Sequence, residues 1–247
     1  MHRFFIPSSW IEKKIVKLVD DVAHQLKNVL RMEPGRKIIV LDGSGYEHFV
    51  SLTQVTKKLV VGEIYDSRPV QGEPDLKLTL YQGTLKAQKF EWVLQKGTEL
   101  GISTFVPVIG ERSVLSDVES VDKKMARWGR IVQEAAEQSG RGILPKVRPA
   151  MIFSQACQQA GQAGGLAVLG WENEDKTDLK SALTQVQDVP QSVSLFIGSE
   201  GGFTLDEVRL ASGYQIAPVG LGKRILRAET AGLIAGAAIF YHFDQLA

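Results

Sequence analysis

Cysteine is nearly absent from this sequence of 247 residues. The one cysteine, Cys157, cannot form an internal disulfide, which predicts a reducing compartment, the cytoplasm, and a small buried side chain. Four scattered histidines give no ligand spacing, so we expect no metal. The first residues lack a basic region followed by an apolar one, so we expect no secretory signal. The most apolar stretch, residues 231–240, is far shorter than the roughly 20 residues that span a bilayer, and predicts a buried helix and no membrane partner.

Three motifs of common enzyme classes are also missing. There is no G-x-x-x-x-G-K-[ST] phosphate loop and no G-x-S-x-G nucleophile elbow. The glycines 198, 201 and 202 have the wrong spacing for a dinucleotide fingerprint and lie near the end of the chain instead of in the first strand–helix unit. The sequence therefore argues against a P-loop nucleotidase, a serine hydrolase and a dinucleotide-dependent dehydrogenase.

The net charge of +1 conceals an uneven distribution. Residues 1–37 contain eight Lys or Arg against four Asp or Glu, and residues 122–148 contain seven against three. Residues 166–213 reverse the balance, with eight acidic and three basic residues. The basic regions are suited to a phosphate backbone, although an unevenly charged, solvated surface explains the pattern equally well.

The chain changes character near residue 70. Before it, short apolar runs alternate with turn signals, which predicts a small β-barrel interrupted by one short helix near Asp20–Leu30. The stretch 67–76, with two prolines and a glycine, is the best candidate for a linker. After it, unbroken apolar strands alternate with helices, which predicts an α/β fold with a largely parallel sheet covered on both faces. We therefore expect a β-barrel domain over 1–72 and an α/β domain over 73–247, with helices at 87–100, 122–139, 154–160, 204–212 and 227–243.

Two glycine-rich turns follow strands of the predicted α/β domain. Gly198–Gly202 comes after the apolar run 193–197 and before a capping box formed by Thr204 and Glu207, and Gly220–Gly222 follows the next strand. Glycine lets another group approach the backbone closely. Ligands of parallel sheets bind beyond the carboxyl ends of the strands, so the two turns predict a pocket of main-chain groups suited to an adenine and a ribose. Each turn taken alone is also explained as a tight turn and nothing more.

Three cations, Lys223, Arg224 and Arg227, follow the second turn, with Glu229 after them. Basic residues at the start of a helix oppose its dipole, so an anionic partner is the better explanation for them. The helix that follows is rich in Ala and Gly, which suits a close neighbour in the core or in a dimer equally well.

The motifs "IGSEGGFTLDEV" and "LGKRILRAETA" together resemble the signature of the 16S rRNA uracil-N3 methyltransferases, RsmE-like members of the SPOUT superfamily. Further stretches agree, among them "QKGTELGI", "RWGRIVQEAAEQSGRGILP" and "HQLKNVLRMEPG", so the resemblance covers essentially the whole chain. One position departs from the family, which usually has proline where Ser199 stands. Serine lacks the fixed φ of proline, which puts the rigidity of this turn in doubt.

The resemblance implies a deep trefoil knot in the α/β domain, S-adenosyl-L-methionine bound in the knot, a PUA-like barrel that binds RNA, and a homodimer. It implies a uridine of 16S rRNA, in the decoding region of the 30S subunit, as substrate. Three loops would hold the cofactor, with the candidate residues Leu169, Gly170, Trp171, Glu172, Ile197, Gly198, Glu200, Gly201, Gly202, Val219, Leu221, Gly222, Ile225, Leu226, Arg227, Ala228 and Thr230.

Transfer to N3 requires the uracil to be unpaired and its N3 proton to leave. We expect Arg227 to favour the N3 anion and Glu200 to accept the proton or contact the cofactor. The candidate RNA contacts are Arg3, Arg31, Arg112 and Arg141. The cations Lys123, Arg127 and Arg130 are predicted to share one helical face, as a phosphate stripe or as solvated surface. For Phe4 and Phe5, core packing is the preferred interpretation over stacking on bases.

Two alternatives stay open. A SPOUT ribose 2′-O-methyltransferase would carry an Asn and an Arg in the first helix of the knotted domain, and the corresponding stretch "FEWVLQKGTELG" has neither. A non-catalytic ribosome-assembly protein would use the same barrel and basic surface but would not need two intact glycine turns.

Overall fold

The computed structural model describes residues 1–114 and 117–246. The chain divides into two compact units. The first contains Met1–Glu73 together with Ala136–Leu144, and the second contains Pro74–Ala135 and Pro145–Ala247.

The first unit is built on a sheet of six strands in the order β1-β4-β5-β6-β3-β2. Only the β1–β4 pairing is parallel. The strands are β1 (Arg3–Phe5), β2 (Ile11–Glu12), β3 (Ile15–Val19), β4 (Lys37–Leu41), β5 (Tyr46–Val55) and β6 (Leu59–Pro69). In β3, Val16 and Leu18 are buried and Ile15 and Lys17 are exposed, as expected for a strand with one face against the core.

A short helix separates the third and fourth strands, as predicted. It begins as α1 (Asp20–His24) and continues as one π-helical turn over Gln25–Val29. Leu26 is fully buried and packs in the same core as Phe4, while Phe5 is buried in a smaller cluster with Ala136. The two phenylalanines are thus core residues, which confirms the preferred interpretation.

The second unit contains a parallel sheet in the order β10-β8-β7-β12-β11-β13, with β9 paired to β8. All its strand pairings are parallel, as predicted. The strands are β7 (Lys77–Gly83), β8 (Thr104–Ile109), β9 (Lys146–Val147), β10 (Met151–Ile152), β11 (Leu166–Gly170), β12 (Ser192–Ile197) and β13 (Ala217–Val219).

Both faces of this sheet are buried. Leu195 and Ile197 of β12 belong to one hydrophobic cluster, and Phe196 between them belongs to another on the opposite face. This explains the unbroken apolar strands in the sequence, because successive side chains of a strand point to opposite faces. Cys157 is fully buried in the second cluster, so the expectation of a buried cysteine is confirmed.

Seven helices accompany the described strands of this sheet. They are α2 (Ala87–Leu100), α3 (Val118–Asp122), α4 (Met125–Ser139), α5 (Phe153–Ala163), α6 (Leu179–Thr184), α7 (Leu205–Gly213) and α8 (Ala228–His242). The last residues of α4, from Ala136 onward, belong to the first unit. Within residues 1–114 and 117–246, no helix is long and apolar enough to cross a bilayer.

One predicted helix is wrong in its extent. The stretch 122–139 was expected to be a single helix, but α3 ends at Asp122 and α4 begins at Met125. The Asp122 carboxylate accepts a hydrogen bond from the N–H of Ala150 (2.9 Å), a tertiary contact that local sequence does not reveal. The predicted stripe of Lys123, Arg127 and Arg130 is wrong for the same reason, since Lys123 lies before α4. Arg127, moreover, forms an ion pair with Glu91 at 2.6 Å.

Candidate functional site

Three loops meet at the carboxyl edge of the parallel sheet. Strands β12, β11 and β13 are neighbours in this order and run in the same direction, so the loops that follow them leave the sheet side by side. The loops begin at Trp171 after β11, at Gly198 after β12 and at Gly220 after β13. The two glycine turns predicted from the sequence thus flank the third loop.

The turn after β12 is closed and crowded. The N–H of Gly202 donates to the carbonyl of Ser199 (3.0 Å), and the buried side chain of Gln82 donates to the carbonyl of Gly198 (3.2 Å). A methyl group on Gly198 would lie 3.0 Å from the backbone of Gly202. Gly202 has a φ of +67°, and a Cβ there would lie 2.6 Å from Oε1 of Glu172. Only glycine fits both positions without displacement.

The turn after β13 is fixed by the backbone of the segment before α6. The N–H of Gly220 donates to the carbonyl of Thr177 (2.8 Å), and the Gly220 carbonyl accepts from the N–H of Leu179 (3.0 Å). Gly222 has a φ of +108° with open space where a Cβ would be. The chain then runs to Arg227, which occupies the N-cap position of α8.

The three loops enclose a cavity of about 280 Å³. It is lined by the apolar residues Ile197, Leu221 and Leu226 and by glycines of the two turns. Trp171 also lines it, and the indole Nε1 of Trp171 is a buried donor with no hydrogen-bond partner among the described residues. Apolar walls that can contact the faces of a purine, with main-chain groups left for its edges, fit a nucleoside such as that of S-adenosyl methionine.

Charged groups of both signs lie around this cavity. Lys223 and Arg224 line it and are exposed, and Glu200 lines it from the glycine turn. The Lys89 ammonium, from the first turn of α2, lies 3.3 Å from the Glu200 carboxylate and 3.5 Å from that of Glu229. Lys89 therefore connects the turn after β12 to the start of α8.

Most of the predicted cofactor residues line the cavity. Those that do are Gly170, Trp171, Glu172, Ile197, Gly198, Glu200, Gly201, Gly202, Leu221, Gly222, Ile225, Leu226 and Ala228. Leu169 and Val219 lie instead in the core, while Arg227 and Thr230 are not among the described lining residues. The lining also contains Glu174, which lies beyond the predicted range, and Ala231, which ends the second motif but was not among the candidates.

The four candidate RNA contacts differ in their surroundings. Arg31 is exposed and follows the π-helical turn with a φ of +51°. Arg3 lies in β1, 3.6 Å from the Glu47 carboxylate. Arg112, in the second unit, is exposed and donates to the carbonyl of Gly201 (3.0 Å). Arg141 is 7 % exposed and forms a 2.9 Å ion pair with Glu73, so it offers little surface to a ligand.

Comparison with known proteins agrees with this architecture. Residues 72–240 match the model of an RNA methyltransferase domain, and residues 18–65 match that of an RNA methyltransferase PUA domain. A parallel sheet with a pocket at its carboxyl edge, preceded by a small β unit of the PUA type, thus defines the class of the protein as RNA methyltransferase.

Full-length relatives narrow the class. Ribosomal RNA small subunit methyltransferase E of Bacillus subtilis is 34% identical over 252 residues, which cover 100% of this chain and 98% of that protein. The crystal structure of a ribosomal RNA small subunit methyltransferase E from Neisseria gonorrhoeae bound to S-adenosyl methionine has a TM-score of 0.87 and 33% identity, covering 98% of this chain and 97% of that one. A Legionella pneumophila protein solved with the bound cofactor SAM has a TM-score of 0.85 and 33% identity, covering 97% and 96%. The chain belongs to the ribosomal RNA small subunit methyltransferase E family.

Proposed function

We propose that the protein transfers a methyl group from S-adenosyl methionine to N3 of one uridine in 16S rRNA, in the decoding region of the small ribosomal subunit. Membership of the family makes it an S-adenosyl methionine-dependent methyltransferase of ribosomal RNA. The proposal adds the atom and the nucleotide. The observation that carries it is the cavity formed by three neighbouring strand-end loops, two of which are turns that need glycine, at Gly198 and Gly202 and at Gly220.

The cofactor residues of the proposal lie in these loops. Ile197 and Leu226 would hold the purine, main-chain groups of the glycine turns would hydrogen-bond it, and the Glu172 carboxylate would accept hydrogen bonds from the ribose hydroxyls. Leu169 and Val219 support the loops from the core, and Thr230 lies in the first turn of α8. When bound, the cofactor supplies a methyl group on a positively charged sulfur, so the protein has mainly to align this methyl with N3, roughly 3–3.5 Å away.

Arg227 is proposed to favour the uracil anion. N3 of neutral uracil carries a proton, and a nearby guanidinium stabilises the negative charge that remains when the proton leaves. Arg227 is exposed at the N-terminus of α8, where the helix dipole adds to the same effect.

Glu200 is proposed to accept the N3 proton or to contact the cofactor. Glu200 lines the cavity, and its carboxylate forms an ion pair with Lys89 at 3.3 Å. A carboxylate fixed by an ammonium on one side can present its second oxygen to the ligand.

The first unit is proposed to bind the RNA, as a PUA-like barrel over residues 1–72 with Arg3 and Arg31 as contacts, and residues 73–247 to form the catalytic domain with Arg112. The compact unit that ends at Glu73 supports this boundary, with Ala136–Leu144 as an addition that the sequence did not suggest. Arg141 remains a predicted contact that its burial disfavours.

The SPOUT trefoil knot, the homodimer and a cytoplasmic location belong to the same proposal. The knot is supported by the strand order, since β12 lies between β7 and β11 and the chain then crosses to β13 on the far side of β11. The dimer is supported by α8, whose Ile234 and Tyr241 are exposed. The location is supported by the single cysteine, Cys157, which suits a reducing compartment.

The test is to incubate the protein with radiolabelled S-adenosyl methionine and small subunits that lack the modification, and to identify the labelled nucleoside. We expect label on N3 of a single uridine, a loss of transfer of at least about 100-fold in Arg227→Ala with cofactor binding unchanged, and a comparable loss in Glu200→Gln if it accepts the proton. The exposed Arg209→Ala is the matched control and should be fully active. Label on a ribose would establish the 2′-O alternative, and absence of cofactor binding would favour a non-catalytic assembly protein.

A further inference from the structure

Ser199 has a partner that the proline usual in this family could not have. Its side-chain oxygen donates a hydrogen bond to the carbonyl of Arg112 (3.0 Å) and accepts one from the N–H of Gly201 (3.4 Å). The residue is 7 % exposed, so water competes little for these bonds. The turn after β12 is thereby connected to residues 110–113, which follow β8 and which we call the β8 loop.

Arg112 makes a second connection in the opposite direction. Its guanidinium donates to the carbonyl of Gly201 (3.0 Å), and a Cβ on Gly201 would lie only 2.8 Å from the Cβ of Arg112. The two segments thus exchange hydrogen bonds: Ser199 donates to the backbone of Arg112, and the Arg112 side chain donates to the backbone of Gly201. We call this pair of bonds the Ser199–Arg112 clasp.

The β8 loop is itself well fixed. The Gly110 and Ser113 backbones are joined at 3.1 Å, and the Ser113 hydroxyl accepts from the Gly110 N–H (2.9 Å). Beyond the clasp, the Glu111 N–H donates to the Glu207 carboxylate (2.9 Å), and the Thr204 hydroxyl donates to Glu111 (3.0 Å). The loop is therefore a firm support against which the cofactor turn can be held.

We propose that Ser199 is a positioning residue whose hydroxyl, through the clasp with Arg112, holds the glycine turn in the conformation that binds S-adenosyl methionine. A proline ring restricts the backbone of a turn covalently. In this protein the hydrogen bonds of the Ser199 hydroxyl restrict it instead. The inference rests on the proposed function, because it presumes that this turn binds the cofactor.

The clasp also connects the cofactor turn to a candidate RNA contact. A guanidinium has five N–H donors, so Arg112 can hold the Gly201 carbonyl and a phosphate at the same time.

The test is the dissociation constant of S-adenosyl methionine, measured by calorimetry on the full chain without RNA. Ser199→Ala removes both hydrogen bonds of the hydroxyl, of which the one to Arg112 is the shorter, and should weaken binding about 3- to 10-fold. Ser199→Pro should restore it to within about twofold of the wild type, because Ser199 is not among the residues with positive φ and a proline can supply the stiffness. Arg112→Ala should weaken binding of S-adenosyl methionine in the protein that retains Ser199. In the Ser199→Pro protein the same change should alter the logarithm of the dissociation constant by less than half as much.

The matched controls are Ser212→Ala, which removes a hydroxyl that donates to the Val208 carbonyl in α7, and Arg209→Ala. Both should bind as the wild type does. Equal affinity of Ser199→Ala and the wild type overturns the inference, and so does a loss in Ser199→Pro as large as in Ser199→Ala, because the hydroxyl would then be a direct cofactor contact. A wild type that does not bind S-adenosyl methionine at all contradicts the proposed function itself, whatever the variants do.

Discussion

Arg141 shows how the fold decides the role of a single side chain. Its sequence surroundings are basic, but its guanidinium is bound by the Glu73 carboxylate, which also accepts the N–H groups of Gly142 (2.9 Å) and Ile143 (3.2 Å). Glu73 thus fixes the segment Ala136–Leu144 within the first unit. The two partners are 68 residues apart, so local sequence could not have indicated the pair.

The same pair predicts a pH dependence. Burial alone would raise the pKa of Glu73, but the hydrogen bonds and charge of Arg141 and the two N–H groups outweigh it, so the pKa lies below its usual 4.5. A lowered folded-state pKa contributes stability that is complete above the unfolded-state pKa and is lost as the pH falls through the folded-state value. We expect Glu73→Gln to lower the free energy of unfolding by about 2 kcal/mol at pH 7, and the difference from the wild type to shrink below pH 4.5.

Urea denaturation at pH 7 and at lower pH values measures this difference. Glu12→Gln is the control, because the pair of Glu12 with Lys17 is exposed and should contribute less than about 0.5 kcal/mol. A Glu73→Gln variant as stable as the wild type at pH 7 would contradict the role given to this carboxylate.

At the scale of elements, the turn after β12 depends on the conformation of Gly202. Alanine at a φ of +67° costs about 1 kcal/mol, and its Cβ would displace Glu172. We therefore expect Gly202→Ala to weaken binding of S-adenosyl methionine at least about fivefold. Gly213→Ala in α7 is the matched control, since a Cβ there meets no atom within 4 Å and the φ is ordinary. Calorimetric titration measures the affinity of both variants for S-adenosyl methionine. Equal affinities of Gly202→Ala and Gly213→Ala would argue against the turn as a cofactor loop.

Elements defined by local sequence were predicted well, and those defined by tertiary contacts were not. The capping box is present as expected, with Glu207 N–H bound to the Thr204 hydroxyl and Thr204 N–H bound to the Glu207 carboxylate. The break between α3 and α4 was missed because the helical pattern continues through it. Helix α6 was missed because its six residues are too few to show a helical period.

The candidate site follows the same division. The glycine turns were evident because each needs glycine for reasons of its own backbone. Glu174 was missed because the predicted loop after β11 ends before it, and its carbonyl lies close to Gly220, 46 residues further along the chain. The Lys89 contacts with Glu200 and Glu229 join three distant parts of the chain, and no local pattern marks them.

At the scale of the whole molecule, α8 has two roles. Ala231, Ala235 and Ile239 are buried, and a Cβ on Gly232 or Gly236 would lie within 3.4 Å of neighbouring atoms, so one face of the helix is tightly packed in the second unit. The other face exposes Ile234 and Tyr241 beside a groove that is lined in part by Leu183 and Ala238. An exposed apolar face on α8, whose N-cap is Arg227, would place a second copy of the chain near the residue that is proposed to act on the uracil.

We therefore expect the protein to sediment as a dimer of 27.2 kDa chains, and Ile234→Lys to raise its dissociation constant at least tenfold, because the change places a charge in an apolar interface. Leu210→Lys in α7 is the matched control, since Leu210 is also an exposed aliphatic residue of the second unit but lies outside the groove. Sedimentation equilibrium over a range of concentrations measures the mass of the assembly. The methyl-transfer assay at the same concentrations tests whether the active site needs the second copy. If the active site depends on the second copy, Ile234→Lys loses activity in parallel with the dimer, and activity returns at concentrations that restore association. A wild type that is monomeric and active would contradict the predicted dimer and would show that α8 does not contribute to a second copy of the chain.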